Sequence, residues 1–373
     1  MSKQNSIKRI LKYSLAMVVA LALFTFALLQ NPRFLTQIFF GTAANAVELA
    51  LQDSYSPRET DEKTTAIAVA TNLFLNSLSE QQRQTAMYGF DDNTQRANWS
   101  NLPEGMVPRG GLKLGELSEE QRGLMDGLLG EFMSDKGVQN TNYQLAAENT
   151  LSPNRRLKFG TQHYYVAFLG EPSASEPWMF QFGGHHIAIN ITIYGADLTF
   201  SPMLTGGQPL HISYDGEDIF ITEEETMAAQ AFLDSLTADQ KRIAVRGTEA
   251  IDLLLGPGKY GTVIAPEGIK GSDLTEAQKQ MLISVISARL DFINADDNAA
   301  AMATVVAELD DTYFGWWGEQ GTLGAAYFRI TAPSMVLEYS PQGRNVASAT
   351  DHAHSMYRDP QNDYGSAWID TAQ

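Results

Sequence analysis

Two pairs of histidines are the residues whose types and spacing best suit chemistry in this sequence. His185 and His186 follow two glycines and precede an apolar run. His352 and His354 are separated by one residue, so on a strand both rings would point to the same face. His185 and His186 would face opposite sides of a regular strand, but a bulge at the glycines would change this. We therefore expect one residue of that pair to bind an ion and the other to orient it.

Four imidazoles at one place predict a metal centre. Three histidines and a water molecule form a typical Zn²⁺ site, whereas histidine with carboxylate suits non-haem iron, and imidazole also binds copper. The sequence predicts a divalent metal, most simply zinc, with iron or copper as alternatives. The competing interpretation is structural, because histidines in buried strands often only bond to the backbone.

Two charged residues are candidates for catalysis beside the ion. Glu338 is predicted to be a fourth ligand or a general base. Arg358 can bind a substrate carboxylate or phosphate with two parallel hydrogen bonds. The alternative for Arg358 is a turn in which it pairs with Asp359 or Asp363, since Asp, Asn, Pro and Gly are concentrated there.

Two further residues are candidates for substrate binding. Arg109 lies with Trp99 in a loop rich in glycine and proline, which would cover a cleft or form an ordinary surface turn. Trp178 belongs either to the core or to the side of a groove. His163 and His211 stand alone and are predicted to be satisfied core or surface histidines.

Composition excludes several classes of function. The chain has 373 residues, 44% of them hydrophobic, which is enough for a large core. It has no cysteine, so disulfides, thiolate metal sites and cysteine nucleophiles are excluded. The formal net charge is −18, and residues 1–46 contain five basic and no acidic residues, so the rest carries −23. Such a body repels phosphate backbones, so we expect no nucleic-acid partner.

The N-terminus has the pattern of an export signal. A basic segment with Lys3, Lys8, Arg9 and Lys12 precedes an uncharged apolar run at 13–29, and residues 44–46 form an Ala-x-Ala cleavage site. We predict cleavage after Ala46; retention as a single membrane anchor is the alternative. Either way, the body would be periplasmic or extracellular, and any membrane contact would be made only by an uncleaved N-terminal segment.

Repeated helix starts predict an internal duplication. Capping boxes of the form Ser/Thr-x-x-Gln begin at Ser79, Ser118, Thr237 and Thr275, each after a leucine. The first two are 39 residues apart and the last two 38, and the halves are offset by 158 and 157 residues. Carried forward, residues 164–166 match 327–329, the Pro-Ser pairs at 172–173 and 333–334 match at an offset of 161, and 179–182 match 336–339, which makes Glu338 the counterpart of Gln181. The histidine pairs would then also be counterparts.

These patterns predict an α+β fold of two related halves, each with helices followed by antiparallel strands, about a pseudo-twofold axis. The predicted divisions are a signal or anchor at 1–46, a first half at 47–220 and a second half at 221–373, within one packed body. Residues 47–62 and the tail after Ser366 are predicted to be loosely held. No pattern predicts an oligomeric state.

Several short motifs between residues 65 and 366 also occur together in a known family. They lie at 101–103, 108–110, 172–173, 177–178, 181–186, 311–312, 317–318, 327–330, 338–339, 352–354, 358–360 and 362–365. In these motifs the chain resembles the bacterial family catalogued as domain of unknown function 3500. The resemblance implies an exported bacterial protein and assigns no catalytic residue.

Three functions are compatible with these observations. The first is an exported metal-dependent enzyme, most simply a zinc-type hydrolase, whose small-molecule substrate carries an anionic group that Arg358 or Arg109 binds. The second is a non-enzymatic protein outside the cytoplasm that binds a metal or another ligand. The third is a metal-free enzyme that uses histidine and arginine on an anionic substrate.

Overall fold

One mixed β-sheet runs through the protein and carries many of its buried side chains. The computed structural model describes residues 47–151, 157–343 and 350–372. In these ranges thirteen strands form a single sheet, and two more form a separate hairpin. Helices and strands alternate in groups along the chain, so the predicted α+β class is confirmed.

The elements are numbered here in chain order. The ten described helices are α1 (Glu62–Ser77), α2 (Glu80–Ala86), α3 (Asn93–Arg96), α4 (Glu119–Phe132), α5 (Asp135–Thr150), α6 (Glu223–Ser235), α7 (Ala238–Ala244), α8 (Glu276–Leu290), α9 (Ala295–Glu308) and α10 (Ser366–Ile369). The described strands are β1 (Met87–Tyr88), β2 (Leu112–Lys113), β3 (Tyr165–Leu169), β4 (Trp178–Gly183), β5 (Ala188–Tyr194), β6 (Asp197–Thr199), β7 (Met203–Gly207), β8 (His211–Tyr214), β9 (Glu217–Phe220), β10 (Val245–Gly247), β11 (Ile269–Lys270), β12 (Tyr313–Trp317), β13 (Tyr327–Thr331), β14 (Val336–Pro341) and β15 (Ala353–Arg358).

The strand order is β1-β3-β4-β5-β7-β15-β14-β13-β12-β10, with β2, β6 and β11 paired beside this path. Antiparallel pairing dominates, as predicted, but β1 pairs with β3 and β10 with β12 in parallel. The pairing of β7 with β15 joins the two predicted halves. The sheet therefore crosses the predicted boundary near residue 220.

Both faces of this sheet are covered. Alternate strand residues point to opposite faces, and Phe168 and Phe180 pack in a large apolar cluster that also contains helix side chains. Their neighbours Leu169 and Met179 pack on the other face in a smaller cluster, which includes Trp99 from a loop. Burial on both faces explains why several strands are continuous apolar runs in the sequence.

The four predicted capping boxes are all formed. In each, the Ser or Thr side chain accepts a hydrogen bond from the backbone N–H of the glutamine three residues later. The glutamine side chain in turn accepts from the backbone N–H of that Ser or Thr. The same glutamines also join two helix starts, because Gln82 bonds Gln121 at 3.2 Å and Gln240 bonds Gln278 at 3.0 Å. One residue type thus fixes both the start of each helix and its packing partner.

The chain ends are held more firmly than predicted. Val47 and Leu49 are buried, and the backbone N–H of Thr371 donates to the Ala50 carbonyl at 2.9 Å. The Tyr55 hydroxyl donates to the Ile369 carbonyl at 2.8 Å. The prediction of loosely held ends was wrong here, because the polar composition hid a few apolar side chains that complete the smaller cluster.

The predicted signal segment lies outside the described residues. No helix in the described part of the chain is long and apolar enough to cross a membrane.

Candidate metal centre

The first histidine pair lies in the turn that connects β4 and β5. His186 has a φ of +65°, a left-handed conformation that is uncommon for a residue other than glycine. The Arg109 guanidinium donates to the Gly184 carbonyl at 3.0 Å and also to the Ser100 carbonyl at 2.8 Å. The Tyr164 hydroxyl donates to the His185 carbonyl. The pair therefore lies in a turn that hydrogen bonds from Arg109 and Tyr164 hold in place, and not in the predicted strand bulge.

The second histidine pair lies at the start of β15. His354 is opposite Gly206 of β7 on one side and Ser340 of β14 on the other. A Cβ at Gly206 would lie 2.3 Å from the Ala353 carbonyl oxygen and 3.2 Å from His354 Cδ2. The glycine is therefore needed for the close approach of β7 to the backbone of β15 beside His354.

The two pairs meet in space. His186 Nε2 lies 2.9 Å from His352 Nε2. The ring centroid of His186 is 5.2 Å from that of His354, and the centroids of His352 and His354 are also 5.2 Å apart. One potential ligand atom of each of these three residues lies within 4.8 Å of the others. The three imidazoles, which we call the three-histidine cluster, thus come together as the sequence predicted.

His185 belongs to a neighbouring group. Its ring stacks on that of His186 with centroids 3.6 Å apart, and its Nδ1 lies 2.8 Å from Glu148 Oε2. Ligand atoms of Glu148, His185 and His186 also lie within 4.8 Å of one another. A carboxylate bonded to one ring nitrogen fixes the orientation of the imidazole.

Sequence analysis missed Glu148 and Asn101. Glu148 stands in the last turn of α5, where a negative charge opposes the helix dipole, and this was the signal available in the sequence. The Asn101 carbonyl accepts from the His186 backbone N–H at 3.4 Å, and its side-chain amide lies 3.3 Å from His354 Nδ1. Asn101 therefore touches both histidine stretches.

The cluster is enclosed, with one more open side. His186 and His354 are 2% and 6% exposed, whereas His352 is only partly buried. Burial lowers the pKa of His186 and of His354 well below the usual value, and the neighbouring histidines lower it further. Burial also lowers the pKa of His352 to about 4. The three imidazoles are therefore neutral near pH 7, which is the state that binds a metal ion.

The geometry suits a tetrahedral ion. Zn–N bonds of about 2.0–2.1 Å place two ligand nitrogens about 3.3 Å apart in a tetrahedron. The separation of 2.9 Å between His186 Nε2 and His352 Nε2 is within a few tenths of an ångström of that value. The other nitrogen separations in the cluster are at most 4.8 Å.

The structure does not bring Glu338 to the histidines. Its carboxylate accepts hydrogen bonds from the backbone N–H groups of Leu254 and Leu255 and from the Tyr327 hydroxyl, at 2.7 to 2.8 Å. Burial raises its pKa. These contacts tie a loop to β14, and Glu148 takes the place of Glu338 as the carboxylate next to the imidazoles.

Arg358 and Trp178 also lie apart from the cluster. The Arg358 guanidinium pairs with Asp363 and donates to the Leu255 carbonyl, which is the turn pairing given above as the alternative. Trp178 is fully buried in the core, and its indole N–H donates to the Ser173 carbonyl. It stands at the far end of β4, about 17 Å from the histidine turn at about 3.3 Å per residue. Neither side chain is placed to contact a substrate at the histidines.

Arg109 does reach the site, and its guanidinium donates hydrogen bonds to protein carbonyl groups there. Its contacts hold the turn that carries His185 and His186, so its position explains the geometry of that turn.

The family model for a protein of unknown function, DUF3500, matches residues 60–366. The chain belongs to this family. The match covers both histidine pairs, Asn101 and Glu148, and it confirms the resemblance seen in the short motifs. No curated protein and no solved structure is detectably similar to the chain.

Proposed function

We propose that His186, His352 and His354 bind one divalent metal ion, most simply zinc, and that the protein is a metal-dependent hydrolase. The observation that carries the proposal is the convergence of three neutral imidazoles within 4.8 Å from two distant parts of the chain. A bundle of uncharged histidines without such a ligand would bury several polar nitrogens for little gain in stability.

A zinc ion held by three histidines keeps a fourth position for water and lowers the pKa of that water to near 7. The chain supplies the surroundings. Glu148 holds the ring of His185 against His186, and Arg109 fixes the turn that carries both. His352 lies on the more open side, where a substrate would enter.

A non-enzymatic metal-binding protein is the second candidate. The near-complete burial of His186 and His354 favours it, because a substrate needs access to the ion and a stored ion does not. This candidate also requires no catalytic role for Glu338 and Arg358, whose side chains are bonded elsewhere in the protein.

The same experiment tests the metal and separates the two candidates. Protein produced without a histidine tag would be analysed for metal content, beside His352→Ala and the exposed control His211→Ala. We expect one ion per chain in the wild type and the control, and a loss in His352→Ala. Absence of metal from the wild type refutes both candidates. Bound metal without turnover on ester, amide and phosphoester substrates refutes only the hydrolase.

We also propose that the protein is exported, as the N-terminal sequence predicts. The support is the basic segment, the apolar run and the Ala-x-Ala site in residues 1–46. N-terminal sequencing of the protein from the periplasm or medium tests this, and a mature chain that starts at Val47 is the expected result. Recovery of the full-length chain from the cytoplasm would contradict it.

Finally, we propose that the chain is an internal duplication, in a different register from the one first inferred. The series α1, α2, β1, β2, α4, α5, β3, β4, β5, β7 has the same order as α6, α7, β10, β11, α8, α9, β12, β13, β14, β15. In this order β3 and β12 correspond and begin 148 residues apart, at Tyr165 and Tyr313. Glu338 then corresponds to Asn190 rather than to Gln181.

The histidine pairs are not counterparts in this register. His185 and His186 follow β4, whereas His352 precedes β15 and His354 is the second residue of that strand. Superposition of the two halves of an experimental structure tests the duplication: helices that superpose while the strands do not would refute it.

A further inference from the structure

A cavity of about 260 Å³ lies beside α9, between that helix, the end of α8, β6 and the segment after β15, and we call it the α9 cavity. Among the described residues, its lining includes no member of the three-histidine cluster. Its base is apolar, because Phe200, Ile293 and Met335 are buried there. An engineered apolar cavity of about 150 Å³ holds benzene, so this cavity has room for a ring with a short side chain.

Helix α9 buries very little of its own surface. Of its fourteen residues only Val305 is buried, whereas α8, which has fifteen, buries six. Ala300, Ala301 and Thr304 of α9 line the cavity together with Val305. Most of the stability of a helix in a protein comes from the packing of one face. The inward face of α9 therefore borders an open cavity, which a bound molecule would fill.

One carboxylate in the lining has no cation beside it. Asp359 Oδ1 accepts from the backbone N–H groups of Gln361 at 2.9 Å and Asn362 at 3.2 Å, and no donor in the described part of the chain bonds Oδ2. Asp359 is partly buried and forms no ion pair with any described residue. Burial raises the pKa of Asp359 to about 6, and the carboxylates of Asp363 and Glu308 contribute. A cation next to Asp359 would stabilise its charged form.

The other charges of the lining are balanced within the protein. Asp297 pairs with Lys63 at 2.6 Å, and Asp197 pairs with Arg58 at 3.2 Å. No lysine, arginine or histidine of the described ranges lines the cavity. In the described lining, Asp359 is therefore the charge that remains for a ligand, and its sign favours a positive group.

An amide and two aromatic rings line the cavity with this carboxylate. Asn362 is 9% exposed, and its Oδ1 accepts from the Ala367 backbone N–H at 3.0 Å, but no described acceptor bonds its Nδ2. This amide N–H can donate to an oxygen atom of a ligand. Tyr357 and Trp368 also belong to the lining, and aromatic faces attract ammonium groups.

We propose that the α9 cavity binds a small amino alcohol: a molecule with an apolar ring, an ammonium group that pairs with Asp359 and a neighbouring hydroxyl that accepts from Asn362. This site is separate from the proposed metal centre and does not depend on it. The ring would complete the packing of α9, so the ligand stabilises this helix when it binds.

Three probes of similar shape and different charge test the proposal. Phenylethanolamine, phenylethylene glycol and mandelate share a phenyl ring and a hydroxyl, and they end in an ammonium, a hydroxyl and a carboxylate group. Binding to the untagged protein would be measured by calorimetry at neutral pH. We expect phenylethanolamine to bind about tenfold tighter than the glycol, because hydrogen bonds between charged groups are the stronger ones, and mandelate to bind least tightly. No binding of phenylethanolamine, or equally tight binding of mandelate, would overturn the proposal.

Two substitutions on α9 locate the binding. Ala301→Phe places a ring in the cavity, and Ala303→Phe makes the same change at an exposed position of the same helix, outside the lining. We expect Ala301→Phe to weaken phenylethanolamine binding about tenfold or more and Ala303→Phe to leave it unchanged. Equal effects of the two variants would refute the location.

Asp359→Asn covers the case in which Ala301→Phe does not fold. The asparagine oxygen can still accept from the backbone N–H groups of Gln361 and Asn362, so the turn is kept and the charge is lost. We expect the preference for phenylethanolamine over the glycol to disappear. An unchanged preference would contradict the role of Asp359.

Hydrogen exchange reports on the helix itself. The backbone amides of α9 should exchange more slowly when phenylethanolamine is bound, whereas those of α6, which has no residue in the lining, should not change. Protection in α6 without protection in α9 would refute the site.

Discussion

Zinc should stabilise this protein against heat, and the size of the effect follows from the three-histidine cluster. An ion that binds only the folded state adds about 4.1 kcal/mol when its free concentration is about 1,000 times Kd. An unfolding entropy of about 2.1 cal/mol/K per residue over roughly 310 folded residues gives about 0.65 kcal/mol/K. We therefore expect a rise in Tm of about 6 °C in the wild type.

His354→Ala should remove most of this rise. Structural zinc sites with four ligands bind with about 10–16 kcal/mol, so each ligand contributes about 2.5–4 kcal/mol, and its loss weakens binding about 100-fold or more. At the same zinc concentration, a 100-fold loss leaves about 1.4 kcal/mol, or about 2 °C. His211 is exposed and lies outside the cluster, so His211→Ala should keep the full rise.

The assay is differential scanning calorimetry of untagged, chelator-treated protein, with and without buffered zinc. The comparison uses the zinc-dependent change in Tm within each variant, so a loss of basal stability in a variant does not affect it. A wild type whose Tm does not respond to zinc, or a His211→Ala variant that loses as much of the rise as His354→Ala, would refute the reasoning.

Three other predictions follow from the site and its surroundings. Glu148→Gln should weaken zinc binding by up to about tenfold, below the 10- to 100-fold typical of a residue bonded directly to a metal ligand, because Glu148 acts through His185, whose ring stacks on that of His186; competition with a chromophoric chelator measures this, and unchanged affinity would show that Glu148 is structural only. Metal-free protein should lose stability as the pH falls from about 6.5 towards 4, because the folded pKa of His352 is about 4 and the unfolded chain binds more protons in that window. This single group contributes at most about 3 kcal/mol, and His352→Gln should flatten the pH dependence seen in chemical denaturation; an equally steep curve in the variant would contradict the assignment. Asp363→Asn should cost about 3–5 kcal/mol of unfolding free energy by leaving the buried Arg358 charge unpaired, yet metal content should stay at the wild-type level; loss of metal in this variant would show that Arg358 supports the centre after all.

The sequence by itself determined the local elements of this protein. The capping boxes at Ser79, Ser118, Thr237 and Thr275 all start helices, because a cap depends on residues within one turn of each other. The apolar runs that became β4 and β14 were recognised for the same reason. The two histidine pairs were expected to meet as counterparts of a duplication; they do meet, although the proposed order of elements does not make them counterparts.

Only the tertiary structure decided which side chains surround those histidines. Glu148 reaches His185 because α5 ends beside the turn after β4, and no local pattern encodes that distance. Glu338 and Arg358 carry charges that sequence analysis assigned to catalysis, but loops that pack on the sheet use both to satisfy backbone groups and Asp363. A buried charge must be compensated by whatever lies next to it, and that neighbour is fixed by packing across the whole chain rather than by spacing along it.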